Sequence, residues 1–135
     1  MNGEIHNKIQ RIEDNLENLK ELKKYSEEEF TSDFRNIEAT KHLLQTAVEA
    51  MIDIANHIIA VRKFKKPGTS AEAFEILAEN DIISQENKDK YILMTKFRNR
   101  VVYLYTKVDD KEIYKIIQNN LDDYREFVSE ILKEF

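Results

Sequence analysis

Cysteine and tryptophan are absent from the 135 residues, proline occurs once and glycine twice. Without thiols there is no disulfide framework, no thiolate zinc site and no cysteine nucleophile, a composition that suits a reducing cytoplasm. So few chain breakers exclude a loop-rich all-β fold, collagen and a low-complexity linker, each of which needs many more. Two glycines also exclude the glycine-rich phosphate loops and the hydrolase nucleophile elbow. No run approaches the ~18 consecutive apolar residues that a membrane helix requires. The opening MNGEIHNKIQ lacks an apolar signal core, so export is not expected and a cytoplasmic location is.

What is present is helix-forming. Hydrophobic residues make up 41% and charged residues 35%, with 26 acidic against 21 basic side chains and a net charge of −5. The length fits one domain, residues 1–135, with a substantial core. Ile5, Ile9, Ile12, Leu16 and Leu19 recur at helical spacing and predict a first helix over about 3–25, wet on its other face. Ser26 to Asp33 reads as a polar connection rich in N-cap residues: Ser26, Thr31, Ser32 and Asp33.

A long second helix runs to about Phe64, carried by Ile37, Leu44, Val48, Met51, Ala55 and Ile58. Its apolar character wraps most of the circumference between Ala47 and Val61, which predicts the central element. Cations at Arg62, Lys63, Lys65 and Lys66 suit the negative end of the helix dipole, and Pro67-Gly68 stops the helix. Thr69-Ser70-Ala71-Glu72 has the form of a capping box and opens a short third helix through Asn80. Ser84 caps a fourth helix with Tyr91, Met94, Phe97, Val101 and Leu104 on one side. A second capping box, Asp109 to Glu112, opens a fifth, whose apolar positions run from Ile113 to Ile131. No segment alternates as a strand would. The expected fold is all-α: an antiparallel four-helix bundle with an additional short helix.

Chemistry is sparse. The residues three positions before His6, His42 and His57 are Gly3, Ala39 and Ile54, so the Glu-x-x-His pairs of di-metal bundles are missing and no metal or cofactor is expected. Asp53 and His57 stand four apart on one helical face. They read as a buried pair satisfying its own hydrogen bonds, as supporting groups near a site or, least often, as part of a metal site. Lys96, Arg98, Arg100 and Lys107 give the stretch 96–107 four cations and no acid. This is either a solvated face or a surface for phosphates. Tyr91, Tyr103 and Tyr105 read either as core and interface tyrosines or as stacking groups for bases.

The segment Phe97-Arg98-Asn99-Arg100-Val101-Val102-Tyr103-Leu104-Tyr105 resembles the signature of HepT-type HEPN domains, the helical toxins of prokaryotic toxin–antitoxin operons. Three flanking segments agree in order: Ile52 to Ile59, Pro67 with Ala73 to Ala78, and Val108-Asp109. The likeness extends over about residues 35–132. It implies a homodimeric endoribonuclease that cuts RNA without a metal at a cleft between subunits. It also implies an MNT-type nucleotidyltransferase antitoxin that silences the toxin by transferring AMP to a tyrosine. By position, Arg98 matches the catalytic arginine, Asn99 its neighbour in the motif, and Tyr105 the AMP acceptor.

One position departs. Where the family pattern has histidine, this chain has Tyr103. Cleavage needs a base for the 2′-hydroxyl proton and an acid for the leaving oxygen, and an imidazole with pKa near ~6.5 serves either role. A phenol, with pKa near ~10, is ionised to about one part in a thousand at pH 7. Loss of an acid–base group costs ~10²–10⁴ in rate, so an impaired enzyme is expected. Geometry adds a constraint: on a regular helix position 103 points ~140° away from Arg98. The helix must therefore bend, end near Val102, or receive the second group from another subunit. Besides the impaired nuclease, a non-catalytic partner modified on Tyr105 and a plain helical scaffold remain open on the sequence.

Overall fold

A computed structural model describes residues 2–104 and 108–135. The described residues form seven helices: α1 (Asn2–Lys23), α2 (Glu27–Thr31), α3 (Phe34–Arg62), α4 (Ser70–Glu79), α5 (Gln85–Tyr103), α6 (Asp110–Asn119) and α7 (Leu121–Glu134). No strand occurs among them, and none of these helices is long and apolar enough to cross a membrane.

The five apolar positions of α1 are all buried, as their spacing predicts. They pack on α3, and the polar pairs along the seam give the direction. Glu4 faces His57, Lys8 faces Asp53, and Asn15 donates to the Leu43 carbonyl and the Thr46 hydroxyl. Positions rise along α1 as they fall along α3, so the two helices are antiparallel. α3 also touches α2, α4, α5 and α6 and is the central element. Its burial from Ala47 to Ile59 is broken only by Glu49, Asp53, Asn56 and His57.

Two boundaries differ from the sequence reading. The polar stretch after α1 is not a plain connection, because it contains α2. Ser26 and Glu29 form a reciprocal capping box, each side chain bonded to the other's backbone N–H. The backbone bond from Ser26 holds the Glu29 carboxyl below its usual range. Phe30, the lone apolar residue of the stretch, is fully buried against Tyr114, with ring centroids 5.3 Å apart. The second difference is a break in the expected fifth helix. Asn120 leaves helical geometry (φ −120°, ψ 5°) and separates α6 from α7. The apolar spacing continues across the break, so periodicity alone does not reveal it. Asn-Asn is a weak helix former, and tertiary contacts use the bend. Tyr114 and Gln118 of α6 donate to the Tyr25 and Lys23 carbonyls at the end of α1, while α7 turns to α5.

Capping also departs in two cases. Thr69 accepts from the Glu72 N–H, but the Glu72 carboxylate takes the Gly68 N–H and leaves the expected box open. Asp109 caps α6 through the Lys111 N–H, but Glu112 does not close the expected box and instead binds Arg100. At the other end of α5 the prediction holds, and Ser84 accepts from the Asn87 N–H. There Glu130 of α7 receives three donors. Its carboxylate accepts from the Ser84 N–H (2.7 Å), the Asn87 side-chain amide (3.3 Å) and the hydroxyl of fully buried Tyr91. Tyr91 packs with Phe74 and Phe127, with ring centroids 5.2–5.9 Å apart. This cluster and the Glu130 clasp fix how α5 is rotated against α4 and α7.

Candidate functional site

Arg98 lies on the same stripe of α5 as Tyr91, seven residues away, and faces α3 and α4. Its side chain is 16% exposed. One guanidinium nitrogen donates to the Ser70 hydroxyl at 3.4 Å, and the other stands 3.9 Å from the Glu49 carboxylate. Both contacts are long, and Nε is buried with no hydrogen-bond partner. A guanidinium carries five N–H donors in a planar fork suited to phosphate. Here a charged fork is held in place by three helices with most of its donors unspent. Gln45 donates to Glu49 at 3.3 Å, so a polar chain Gln45–Glu49–Arg98–Ser70 links α3, α5 and α4.

The other motif residues are placed differently. Asn99 is exposed on the next position of α5. Arg100 is not a free phosphate donor. It forms a two-pronged ion pair with Glu112, 2.7 Å on each prong, which also raises its pKa. The cationic stretch is thus partly neutralised, since Glu112 takes up Arg100 and Glu49 faces Arg98. Tyr103 is the last residue of α5, with Leu104 as C-cap. The helix therefore ends one residue beyond Val102, and both side chains stand in solvent, Tyr103 at 70% exposure and Leu104 at 54%, so Leu104 does not join the buried side of the helix as its spacing predicts, because the helix stops before it. No hydrogen bond joins Tyr103 to Arg98 among the described residues. Tyr105 and Lys107, the remaining residues singled out in this stretch, lie outside the described residues.

Asp53 and His57 do not form a mutual buried pair. Asp53 is exposed and bound to Lys8 at 3.0 Å, and His57 Nδ1 lies 3.5 Å from Glu4. Each partner comes from α1, because the α1–α3 seam runs along that side of α3. His57 Nε2 is buried without a partner. Among the described residues no three histidine or acidic side chains gather as a metal site would require. A hollow of about 730 Å³ lies between α5, α6 and α7 and is lined by residues including Leu93, Phe97 and Ile116 rather than by Arg98.

Sequence reasoning missed Glu49 and Ser70 as companions of Arg98. A signal existed for the first, because Glu49 is the one charge inside the apolar run from Ala47 to Ile52. None existed for Ser70, which reads as part of a cap.

Comparison with known proteins gives the family. A family model described as HepT-like, ribonuclease HepT-like, matches residues 12–131. The mRNA nuclease HepT of Shewanella oneidensis is 31% identical over 135 residues, covering 99% of this chain and all of that protein. The tRNA nuclease HepT of Aphanizomenon flos-aquae is 30% identical over 127 residues, covering 94% of this chain and 86% of that one. Among solved structures, a tri-AMPylated Shewanella oneidensis HEPN toxin in complex with MNT antitoxin superposes with a TM-score of 0.91 at 30% identity, covering 98% and 99% of the two chains. The cytosolic protein YutE of Bacillus subtilis shares the fold at a TM-score of 0.85 and 17% identity, over 98% and 89%. With its all-α HEPN bundle and a motif arginine set between three helices, the chain belongs to the HepT-like ribonuclease family.

Proposed function

We propose that this chain is the toxin component of a toxin–antitoxin pair, an RNA endonuclease working as a homodimer and slowed by Tyr103. The observation that carries the reading is Arg98, recessed between α3 and α4 with donors to spare. The scissile phosphate would displace the loosely held Glu49. The adjacent 2′-oxygen then attacks phosphorus while a base takes its proton. The bond to the 5′-oxygen breaks as that oxygen gains a proton, leaving a 2′,3′-cyclic phosphate and a 5′-hydroxyl. Arg98 stabilises the charge that builds on the phosphoryl oxygens, while Asn99, about 100° further around α5, faces solvent outside that recess.

Exposed Tyr103 and recessed Arg98 do not form a closed site within one protomer. A second copy supports the assembly by covering α5, where Leu93, Tyr103 and Leu104 expose apolar surface. The test is cleavage of a labelled single-stranded RNA by the Tyr103→His variant. Adding Arg98→Ala should remove about a hundredfold or more of that activity. Unchanged cleavage after loss of Arg98 would end this reading.

The second reading is favoured by Tyr103 itself: a silent partner of an MNT-type nucleotidyltransferase. In that reaction the Tyr105 phenol oxygen attacks the α-phosphorus of ATP, pyrophosphate leaves and the phenol proton goes to solvent. Incubating the chain with the cognate enzyme and ATP should add discrete AMP mass increments. Tyr105→Phe should lose the first of them, and the same ladder with and without the tyrosine would count against its role.

A further inference from the structure

A hollow of about 510 Å³ sits at the C-terminal end of α3, floored by Ile59, Phe64 and Pro67 and rimmed by Asn56, Lys63 and Lys66. We infer that it holds one nucleotide of a single-stranded RNA, with the base on the apolar floor and the flanking phosphates on Lys63 and Lys66. The inference rests on the RNA-cleaving reading and extends the same substrate track beyond Arg98.

Charge is the first support. No acid occurs between Asp53 and Glu72, and residues 62–66 carry four cations in a chain of net charge −5. Arg62 is partly engaged, lying 5.1 Å over the Phe135 ring. Lys63, Lys65 and Lys66 are exposed, and none is in an ion pair among the described residues. Single-stranded RNA is held by such cations together with an apolar or aromatic surface for the base.

Alignment with the motif arginine is the second. Glu49 faces Arg98, and Asn56 and Lys63 follow it at steps of seven. Glu49 and Asn56 therefore share one stripe of α3, a step ~10 Å long, and Lys63 caps the helix one such step beyond Asn56. That step equals about three nucleotides at the ~3.4 Å rise of a stacked strand. The chain also returns to Arg98 directly. Lys66 is four residues before Ser70, whose hydroxyl accepts from Arg98, and four residues span at most ~14 Å. Hollow and guanidinium thus lie on one continuous path.

Backbone conformation at Lys63 is the third. This residue occupies the left-handed C-cap of α3 with φ 58°, a position where glycine is the usual occupant. A lysine there sacrifices backbone ease and keeps a cation on the rim of the hollow.

Lys63→Gly combined with Lys66→Ser removes both charges while relaxing the cap, so a loss of binding cannot be blamed on lost folding. Anisotropy with a fluorescein-labelled single-stranded RNA should show the full-length variant binding roughly five- to tenfold more weakly. Its salt slope should fall by about 1.4, or ~0.7 for each single-strand phosphate that is no longer neutralised. Its thermal midpoint should equal or exceed that of the parent. Lys20→Glu with Lys24→Glu, at the far end of α1, should bind as the parent does. A strand carrying 4-thiouridine should cross-link to the peptide spanning 56–67. Parental affinity and slope in the variant, with no cross-link there, overturn the inference while Arg98-dependent binding leaves the nuclease reading standing. RNA binding indifferent to both Arg98 and the lysines defeats both. Loss of nucleotidyltransferase capture with RNA binding intact assigns the hollow to a protein partner and overturns the inference.

Discussion

Tyr103→His should raise the rate of RNA cleavage by ~10²–10⁴, the value of a positioned acid–base group. The gain follows from populations: near pH 7 an imidazole offers both its acid and base forms in quantity, whereas a phenol is almost entirely protonated. The structure makes the exchange clean. Tyr103 ends α5 with its side chain 70% exposed, so a smaller ring there forfeits little packing. A stability change beyond ~0.5 kcal/mol is therefore not expected, and any rate change reads out chemistry. The restored activity should follow a bell-shaped pH profile with one limb near the ordinary histidine range, and Arg98→Ala should abolish the gain. Equal rates for parent and variant over pH 5–9 would show that position 103 is not where the proton is transferred.

How far the site could be read from the sequence depends on which residues share a local pattern. The burial of α1 and α3, the caps at Asp33 and Ser84 and the end of α3 before Pro67 follow from spacings within a single segment. The end of α5 does not: the apolar spacing runs on to Leu104, yet Leu104 is the C-cap and stands exposed, and an end near Val102 is one of three arrangements that the family motif leaves open for Arg98 and position 103. What could not be read were relations between segments. Glu112 reads equally well as the last member of a capping box, and only the packing of α6 against α5 makes it the partner of Arg100. Asp53 and His57 share a helical face, yet α1 lies along it and supplies each with its own partner, Lys8 and Glu4. α2 escaped detection because Phe30 is its one apolar residue and its stability comes from Tyr114, far along the chain. The Asn119–Asn120 break was hidden by an apolar spacing that suits either a straight or a broken helix.

Glu130→Ala should lower the folding free energy by about 3 kcal/mol, because one carboxylate serves three donors. The Tyr91 hydroxyl, buried beside Phe74 and Phe127, would have no other acceptor, and an orphaned buried donor costs ~1–3 kcal/mol. The Ser84 N–H is exposed and can turn to water, so it adds less. Tyr91→Phe alone should cost only about 1 kcal/mol, since it removes the needy donor with its bond. The double variant should fall well short of the sum, and urea unfolding followed by circular dichroism measures that coupling. Alkaline pH probes the same clasp. Burial, then the bond to Glu130, pushes the Tyr91 phenol far above its ordinary range, and burial pushes Tyr124 the same way. Groups whose folded pKa is raised contribute their full stability below the unfolded value of ~10 and lose it as pH climbs past that value. Stability should therefore hold to about pH 10 and then fall, less steeply in Tyr91→Phe. Full additivity of Tyr91→Phe and Glu130→Ala, or the same alkaline slope with and without Tyr91, would show that the clasp does not act as a unit. Because Tyr91 and Arg98 share one stripe of α5, two turns apart, a helix freed at Glu130 can rotate or slide. The guanidinium then loses its register with Ser70 and Glu49. In a Tyr103→His background, Glu130→Ala should accordingly depress cleavage at temperatures well below its melting point, where every molecule is still folded.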